Sequence, residues 1–402
     1  MSRRIGAIAV ALIGCLLGAL VTLQIQELRS DEPSPVVQLP TEPPVGAPKA
    51  PGTLLAWVTR GLPPGFAAGV TGLPHVGALT VVAEDNVWLA RSWSAAGELV
   101  DRAPEGYAYP IDAAAVDPRS FAAFLPAGDR SLLTALGRGQ AVLGATSAEL
   151  RGLGPGALLD VGGTRVRVAG VLPDELVGAA EILVSRRTGH RMGVTTDRYV
   201  LVQPAAGRRL SSSSLAQALR PLVSPDLGSY RRVQVRAPGE TPYFRPGDAV
   251  MPPVVLKTLF GEFAARPSTA YPGYIEIEPA WERSNLETAR LPVLGTVTCH
   301  RGVMAQLRGA MEELVTIGLA HLVRTFDGCY TPRFIDTNPA AMLSRHAWGV
   351  AFEVNLEGNR YGQSPDQDPR LVEVLERWGF LWGGRFVVPD GAQFEYRRAP
   401  AA

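Results

Sequence analysis

The stretch from Ile5 to about Gln24 is uncharged and largely apolar, and it constrains this chain more than any other feature. Its length is close to the roughly 20 residues that an α-helix needs to cross a bilayer. Two arginines precede it, and no charge follows before Glu27. Because positive residues stay on the cytoplasmic side, we expect residues 1–27 to be an uncleaved transmembrane signal-anchor. The protein would be a single-pass protein of the cell membrane, with the bulk of the chain extracytoplasmic.

A processed N-terminus is the alternative. The sequence "LIGC", ending at Cys15, resembles the site at which lipoproteins are cleaved and lipidated. The apolar run continues past this cysteine as "LLGALVTL", where a mature lipoprotein normally becomes polar. A retained anchor is therefore the favoured interpretation.

Length and composition limit the number of domains and the kinds of partner that the remainder of the chain can have. A chain of 402 residues is long enough for two folded units with connecting segments. The 39 Lys and Arg nearly balance the 38 Asp and Glu, and without a basic stripe we expect no nucleic-acid partner. Residues 28–53 are proline-rich with few large apolar side chains, which predicts an extended linker.

Residues 54–240 have the pattern of a β-rich α+β extracytoplasmic domain. Short apolar runs such as "ALTVVAEDNVWLAR", "EILVSR" and "DRYVLVQP" predict strands, and "VGGTRV" predicts a hairpin. Serines before "LAQALRPLV" predict a capped helix. The phrase "GQAVLGATSAELRGLGPGALLDVGGTRVRVAGVL" resembles the extracytoplasmic domain of MacB/FtsX-type permeases.

Residues 254–402 predict a second, smaller α+β domain. In "GVMAQLRGAMEELVTIGLAHLVR", apolar residues recur at three-, four- and eight-residue steps, which indicates an amphipathic helix of some five turns. These residues are Met304, Leu307, Met311, Leu314 and Leu322. "DPRLVEVLERWGF" predicts another helix, "CYTPRFI" and "WGVAFEVN" predict strands, and "RFVVPDGAQFEY" predicts a closing hairpin. We expect helices packed on a small antiparallel sheet.

The candidate chemistry lies in this second domain. A catalytic zinc needs three protein ligands, an open position for water and a nearby general base. The candidates follow one another along the chain as Arg333, His346, Glu353, Asp390 and Gln393. Their layout resembles the zinc peptidases that include VanY-type D-alanyl-D-alanine carboxypeptidases and phage L-alanyl-D-glutamate endopeptidases. That family carries S-x-H-x-x-G-x-A-x-D, then a tryptophan-glycine turn, then an acidic residue three positions before a final histidine.

Two of the three metal-ligand positions depart from the family pattern. Four positions of the first motif match: Ser344, His346, Gly349 and Ala351. Glu353 stands where the family has an aspartate ligand, and Gln393 stands where it has the final histidine. A neutral amide oxygen is a poor zinc donor compared with an imidazole nitrogen. We therefore expect zinc to be bound weakly or not at all.

The resemblance also implies roles for residues outside the ligand set. Asp390 occupies the place of the acidic base, and Arg333 occupies that of the arginine that steadies an oxyanion. Substrate contacts are expected from Ser344, Trp348 and Trp382.

Two of the three cysteines lie outside the apolar N-terminal stretch. Cys299 and Cys329 would face an oxidising compartment, where disulfides persist. We predict that they pair, and two separate buried thiols are the alternative.

Three hypotheses for function remain open on the sequence. The preferred one is a membrane-anchored protein whose C-terminal domain binds peptidoglycan stem peptides, with zinc hydrolysis lost or weak. The second is an active zinc D,D-carboxypeptidase or endopeptidase of peptidoglycan. The third is a scaffold that binds a protein of an export complex. Zinc content separates the first two, and binding of cell-wall fragments separates both from the third.

Overall fold

A computed structural model describes residues 52–223, 231–241, 243–248, 251–339 and 341–399. These residues all belong to one compact unit. The predicted anchor lies outside the described residues, as does nearly all of the predicted linker. Among the helices that are described, none is long and apolar enough to cross a membrane.

Strands dominate the first part of the described chain and are shorter in the second part. In chain order they are β1 Leu54–Val58, β2 Val76–Trp93, β3 Leu99–Arg102, β4 Tyr109–Val116, β5 Ala141–Gly144, β6 Leu158–Val161, β7 Thr164–Leu172, β8 Ile182–Ser185, β9 Asp197–Pro204, β10 Val233–Arg236, β11 Ala265–Pro267, β12 Ile275–Ile277, β13 Leu286–Leu291, β14 Gly295–His300, β15 Ala351–Glu353, β16 Phe380–Trp382 and β17 Gln393–Tyr396.

The α-helices are mostly short and connect these strands. They are α1 Phe66–Thr71, α2 Pro118–Phe121, α3 Arg130–Gly137, α4 Ala145–Arg151, α5 Asp174–Val177, α6 Arg186–Met192, α7 Ser212–Leu219, α8 Pro253–Phe260, α9 Pro279–Asn285, α10 Arg301–Thr316 and α11 Pro369–Arg377.

One ten-stranded sheet organises residues 54–236. Its order is β10-β1-β9-β2-β4-β8-β5-β7-β6, and β3 pairs with β2. Strand β2 is 18 residues long and pairs with β6 as well as with β4. The last strand of the order, β6, therefore also lies beside β2. Most neighbours are antiparallel, but β4 and β8 are parallel and end side by side at Val116 and Ser185. The prediction of a β-rich α+β domain is confirmed in this region.

In the C-terminal region, the four helices α8 to α11 and small antiparallel sheets pack around one apolar core. Strands β15, β17 and β16 form a three-stranded sheet in that order, while β13 pairs with β14 and β11 pairs with β12. The predicted amphipathic helix is α10, which buries Leu307, Met311 and Leu314. It ends at Thr316, shortly before Gly318, whose positive φ of 75° favours glycine and stops the helix.

Two of the predicted elements in this region are wrong in detail. "CYTPRFI" is not a regular strand, because Arg333 and Phe334 form only isolated bridges, to Tyr274 and Leu343. Pro332 lacks the N–H that a ladder requires. The predicted closing hairpin is also absent, since β17 pairs with β15 and β16, which come from earlier in the chain.

A buried charge cluster joins the two parts of the described chain. It consists of Arg151, Glu181, Lys257 and Glu262. The Lys257 ammonium lies 2.6 Å from Glu181 and 3.0 Å from Glu262, and its side chain is 1 % exposed. Arg151 reaches the same two carboxylates, at 2.9 and 2.5 Å. Each buried charge therefore has close opposite partners, as burial of ions requires.

Candidate functional site

The candidate site forms where β15 and β17 pair. Glu353, the last residue of β15, lies directly opposite Gln393, the first residue of β17. His346 precedes them in a short 3₁₀ turn, in which the Ser344 hydroxyl accepts the His346 backbone N–H at 3.3 Å. A ladder pair and a capped turn thus bring together three side chains that are up to 47 residues apart in the chain.

Gly349 shapes the turn between His346 and β15. Its φ is +68°, and a Cβ there would lie 2.8 Å from the backbone nitrogen of His300. The same nitrogen donates to the Gly349 carbonyl at 2.9 Å. A side chain at this position would break that contact, which explains physically why the motif has glycine here.

The imidazole of His346 is held at both nitrogens. Nδ1 lies 3.0 Å from the carbonyl of Cys329, and Nε2 lies 3.1 Å from the side-chain amide of Gln393. Burial and the charge of Arg333 lower the pKa of His346, so the ring is neutral at pH 7. Because a carbonyl only accepts, the proton sits on Nδ1 and the lone pair sits on Nε2. When the side-chain amide of Gln393 is flipped, so that its oxygen and nitrogen exchange places, its NH₂ group donates to that lone pair.

A disulfide between Cys299 and Cys329 supports this arrangement. Cys299 lies in β14, and Cys329 supplies the carbonyl that holds His346. The link therefore ties β14 to the segment that continues to Arg333.

Arg333 and Asp390 complete the cluster. The guanidinium of Arg333 lies 3.4 Å from Glu353, and the two side chains are 22 % and 19 % exposed. Burial, together with the nearby charge of Glu353, raises the pKa of Asp390 to about 7. Asp390 therefore changes charge near neutral pH, which suits a group that exchanges protons or hydrogen bonds with a ligand.

A cavity of about 380 Å³ opens above these side chains. Arg333, Ser344, Glu353, Asp390 and Gln393 all lie in its wall. The sequence did not predict several other residues of this cavity. Thr59, Arg245 and Asp248 come from outside the family motif, and Arg345 is the unspecified position between Ser344 and His346. No motif marks them. The only hint is that the connector "APGETPYFRPGDAVMPP" places Arg245 and Asp248 among turn-forming prolines and glycines.

Contacts hold the connector against the cavity. Asp248 accepts the backbone N–H of Val387 at 3.0 Å, and Arg345 donates to the carbonyl of Met251 at 2.7 Å.

The two predicted tryptophan contacts do not lie on the cavity wall. Trp348 is 0 % exposed, packs on Phe263 and donates its indole N–H to the Gly261 carbonyl at 3.2 Å. A fully buried side chain cannot touch a ligand, so its predicted substrate contact is corrected to a core position. Trp382 is half-buried and donates to the Gly391 carbonyl at 2.8 Å, next to Asp390. It can act on the cavity only by positioning that loop.

The residues present do not fit a zinc ion. Among the described residues, no group of three or more His, Cys, Asp or Glu side chains is placed to hold a metal. The third ligand position is the Gln393 amide, which is already hydrogen-bonded to His346. Glu353 is also shared with the Arg333 cation, which competes with a metal for its charge. The expectation that zinc is bound weakly or not at all stays a prediction.

Comparisons with known proteins bear on each half of the chain. Three solved structures resemble it, each at low identity. The periplasmic region of MacB from Actinobacillus actinomycetemcomitans has 12% identity, a TM-score of 0.32, and a match over 47% of this chain and 90% of that chain. The extracellular domain of the noncanonic ABC-type transporter YknZ from Gram-positive bacteria has 15% identity, a TM-score of 0.29, and coverage of 46% and 99%. A domain of a permease protein from Porphyromonas gingivalis has 16% identity, a TM-score of 0.31, and coverage of 52% and 95%.

Similarity at this level implies no shared activity. No curated protein matches the chain. Residues 337–396 match the family model described as D-alanyl-D-alanine carboxypeptidase. The C-terminal region is therefore similar to D-alanyl-D-alanine carboxypeptidases, as its motifs predicted, and the N-terminal region resembles extracytoplasmic domains of MacB-type permeases.

Proposed function

We propose that the C-terminal domain binds peptidoglycan stem peptides without hydrolysing them. The observation that carries the proposal is the Gln393 amide at the third ligand position, hydrogen-bonded to His346. The polar side chains beside it are nevertheless retained and line a cavity of about 380 Å³. A site that keeps its cavity and its polar groups while losing a ligand is suited to recognition.

Arg333 is the group best suited to bind the carboxylate of a peptide. Within the described part of the chain, its one carboxylate contact, with Glu353, is long at 3.4 Å, and its side chain is partly exposed in the cavity. A guanidinium pairs with a carboxylate in a bidentate way. The C-terminal carboxylate of a stem peptide would thus pair with Arg333, while Asp390 and Ser344 offer hydrogen bonds to the peptide backbone.

An extracytoplasmic location suits this ligand. The disulfide between Cys299 and Cys329 is stable in an oxidising compartment and rare in the cytosol. We propose a single-pass membrane protein that holds the domain near the cell wall through residues 1–27.

Binding of a synthetic stem peptide tests this proposal. The full chain is titrated calorimetrically with a pentapeptide that ends in D-Ala-D-Ala, as the free acid and as the C-terminal amide, with and without EDTA. We expect the free acid to bind more tightly, EDTA to have no effect, and the recovered peptide to be intact by mass spectrometry.

Two variants assign the binding to Arg333. Arg333→Ala should weaken binding of the free acid by about tenfold and leave the amide nearly unchanged. Arg290→Ala removes an exposed arginine of the same domain, on β13, and should behave as the wild type. Equal binding of acid and amide, or an equal loss in both variants, would refute the assignment.

An active peptidase is the second candidate, favoured by one observation. The Cys329 carbonyl orients His346 so that its Nε2 faces Gln393 and Glu353, and Asp390 has a pKa near 7. Cleavage of the pentapeptide by the unmodified protein would establish it. A protein that neither binds nor cleaves the peptide would favour the export-complex scaffold.

A further inference from the structure

A second cavity lies in the N-terminal region, at the ends of two parallel strands. Strands β4 and β8 stop together at Val116 and Ser185. The connections that leave neighbouring parallel strands open a crevice between them, where ligands commonly bind. The loop that precedes β5 also reaches this place, because β5 pairs antiparallel with β8. The cavity between these segments measures about 500 Å³.

Arginines dominate the cavity wall. Four of them line it: Arg138, Arg186, Arg187 and Arg191. Arg186 is paired with Asp197 at 2.5 Å. Within the described ranges, the other three have no carboxylate within ion-pairing distance, and all three are exposed. Their positive charge is therefore available to a ligand.

Among the described residues of the wall, Asp117 carries the one carboxylate, and its Oδ1 is already hydrogen-bonded. Asp117 accepts the backbone N–H groups of Arg119 and Ser120 at the start of α2, at 3.0 and 2.9 Å. It offsets one of the three unpaired arginines and leaves an excess of positive charge.

Buried hydroxyls form the floor of the same cavity. Thr188 is 1 % exposed, and its hydroxyl oxygen accepts from Ser185 at 3.1 Å, which leaves the Thr188 proton to donate elsewhere. A Cβ built on Gly139 would lie 4.0 Å from both the Thr188 hydroxyl and Nη2 of Arg191. These two donors therefore both lie near Gly139, which has no side chain of its own to separate them.

We propose that this cavity binds a phosphate group. The three guanidinium groups can only donate, and the Thr188 hydroxyl has a proton left to donate, which suits an anion. A carboxylate has two oxygens and is satisfied by one bidentate arginine, whereas a tetrahedral phosphate offers oxygens to several arginines at once. The cavity has room for a substituent on the phosphate, so both inorganic phosphate and a phosphate ester, such as a lipid headgroup provides, are candidate sources.

Calorimetric titration of the full chain in phosphate-free buffer at constant ionic strength tests the site. The probes are inorganic phosphate, glycerol 3-phosphate and acetate. We expect both phosphates to bind and acetate not to compete. Tighter binding of glycerol 3-phosphate would identify an ester as the preferred source, and equal or weaker binding would identify the free ion.

A matched pair of charge-reversal variants locates the binding. The double variant Arg187→Glu, Arg191→Glu should weaken phosphate binding by at least about tenfold. The control variant Arg208→Glu, Arg209→Glu changes the net charge equally at two exposed arginines outside the cavity and should bind as the wild type. The milder double variant Arg187→Gln, Arg191→Gln gives the same readout if charge reversal impairs folding. No binding by the wild type, equal binding by all variants, or equal competition by acetate would overturn the proposal.

Discussion

The buried charge cluster and the candidate site are both built from ionisable side chains of low exposure, yet their charges are paired differently. In the buried charge cluster, Lys257 and Glu181 are each 1 % exposed and lie 2.6 Å apart. In the candidate site, Arg333 lies 3.4 Å from Glu353, and the other close neighbour of that carboxylate is the neutral ring of His346, at 3.6 Å. Close pairing consumes the charges in holding the fold, whereas loose pairing leaves them available to a ligand.

The largest effect is expected when the close ion pairs of the buried charge cluster are broken. Lys257→Met keeps the length of the side chain but leaves Glu181 and Glu262 with Arg151 as their remaining cation. We expect a loss of about 3–5 kcal/mol in the free energy of unfolding, measured by urea denaturation. Arg333→Met is the matched change in the candidate site and should cost less than about 1 kcal/mol. Equal losses of unfolding free energy in the two variants would mean that the buried charge cluster and the candidate site contribute to stability in the same way.

The second largest effect is expected when the family's metal ligands are restored in the candidate site. The double variant Glu353→Asp, Gln393→His should raise zinc affinity by about 100-fold, or about 2.7 kcal/mol, measured by competition with a chelator. Gln393→Asn retains an amide and should not raise it. Tight zinc binding by the unmodified protein would contradict the interpretation of Gln393.

The smallest effect concerns the carboxyl of Asp390. Its pKa rises from 3.8 to about 7 on folding, so between these values the folded state binds more protons than the unfolded state. Stability contributed by this group is therefore lost as the pH rises through that window. Asp390→Asn should reduce the fall in unfolding free energy between pH 5 and 8 by about 2 kcal/mol. Identical pH profiles for wild type and variant would show that Asp390 is not buried as described.

Much of the fold follows from local sequence patterns. The run "DRYVLVQP" is β9 from its first residue to its last, and Ser211 caps α7 by accepting the N–H of Ser214 at 3.1 Å. Strand alternation and capping depend on neighbouring residues, so a sequence displays them directly. The segment around Arg333 is not a regular strand because Pro332 lacks a backbone N–H, and the predicted hairpin is absent because β17 pairs with β15 and β16 instead.

The candidate site was predictable only where a family motif covers it. Glu353 and Gln393 face each other as that motif implies. The burial of Trp348 was not predictable, because it depends on Phe263, more than eighty residues earlier in the chain. Arg245 and Asp248 were missed for the same reason, since their place on the cavity wall depends on long-range packing.

The wall of the 380 Å³ cavity is built from separate parts of the chain, which limits the fragments that can retain the cavity. Thr59, Arg245 and Asp248 share the cavity with Glu353 and Gln393, although the family match spans only residues 337–396. A proteolytic fragment or graft confined to that match would lack one side of the pocket and the connector contacts that shape it. The cavity is therefore a property of the joined regions and would not transfer with the peptidase-like segment alone.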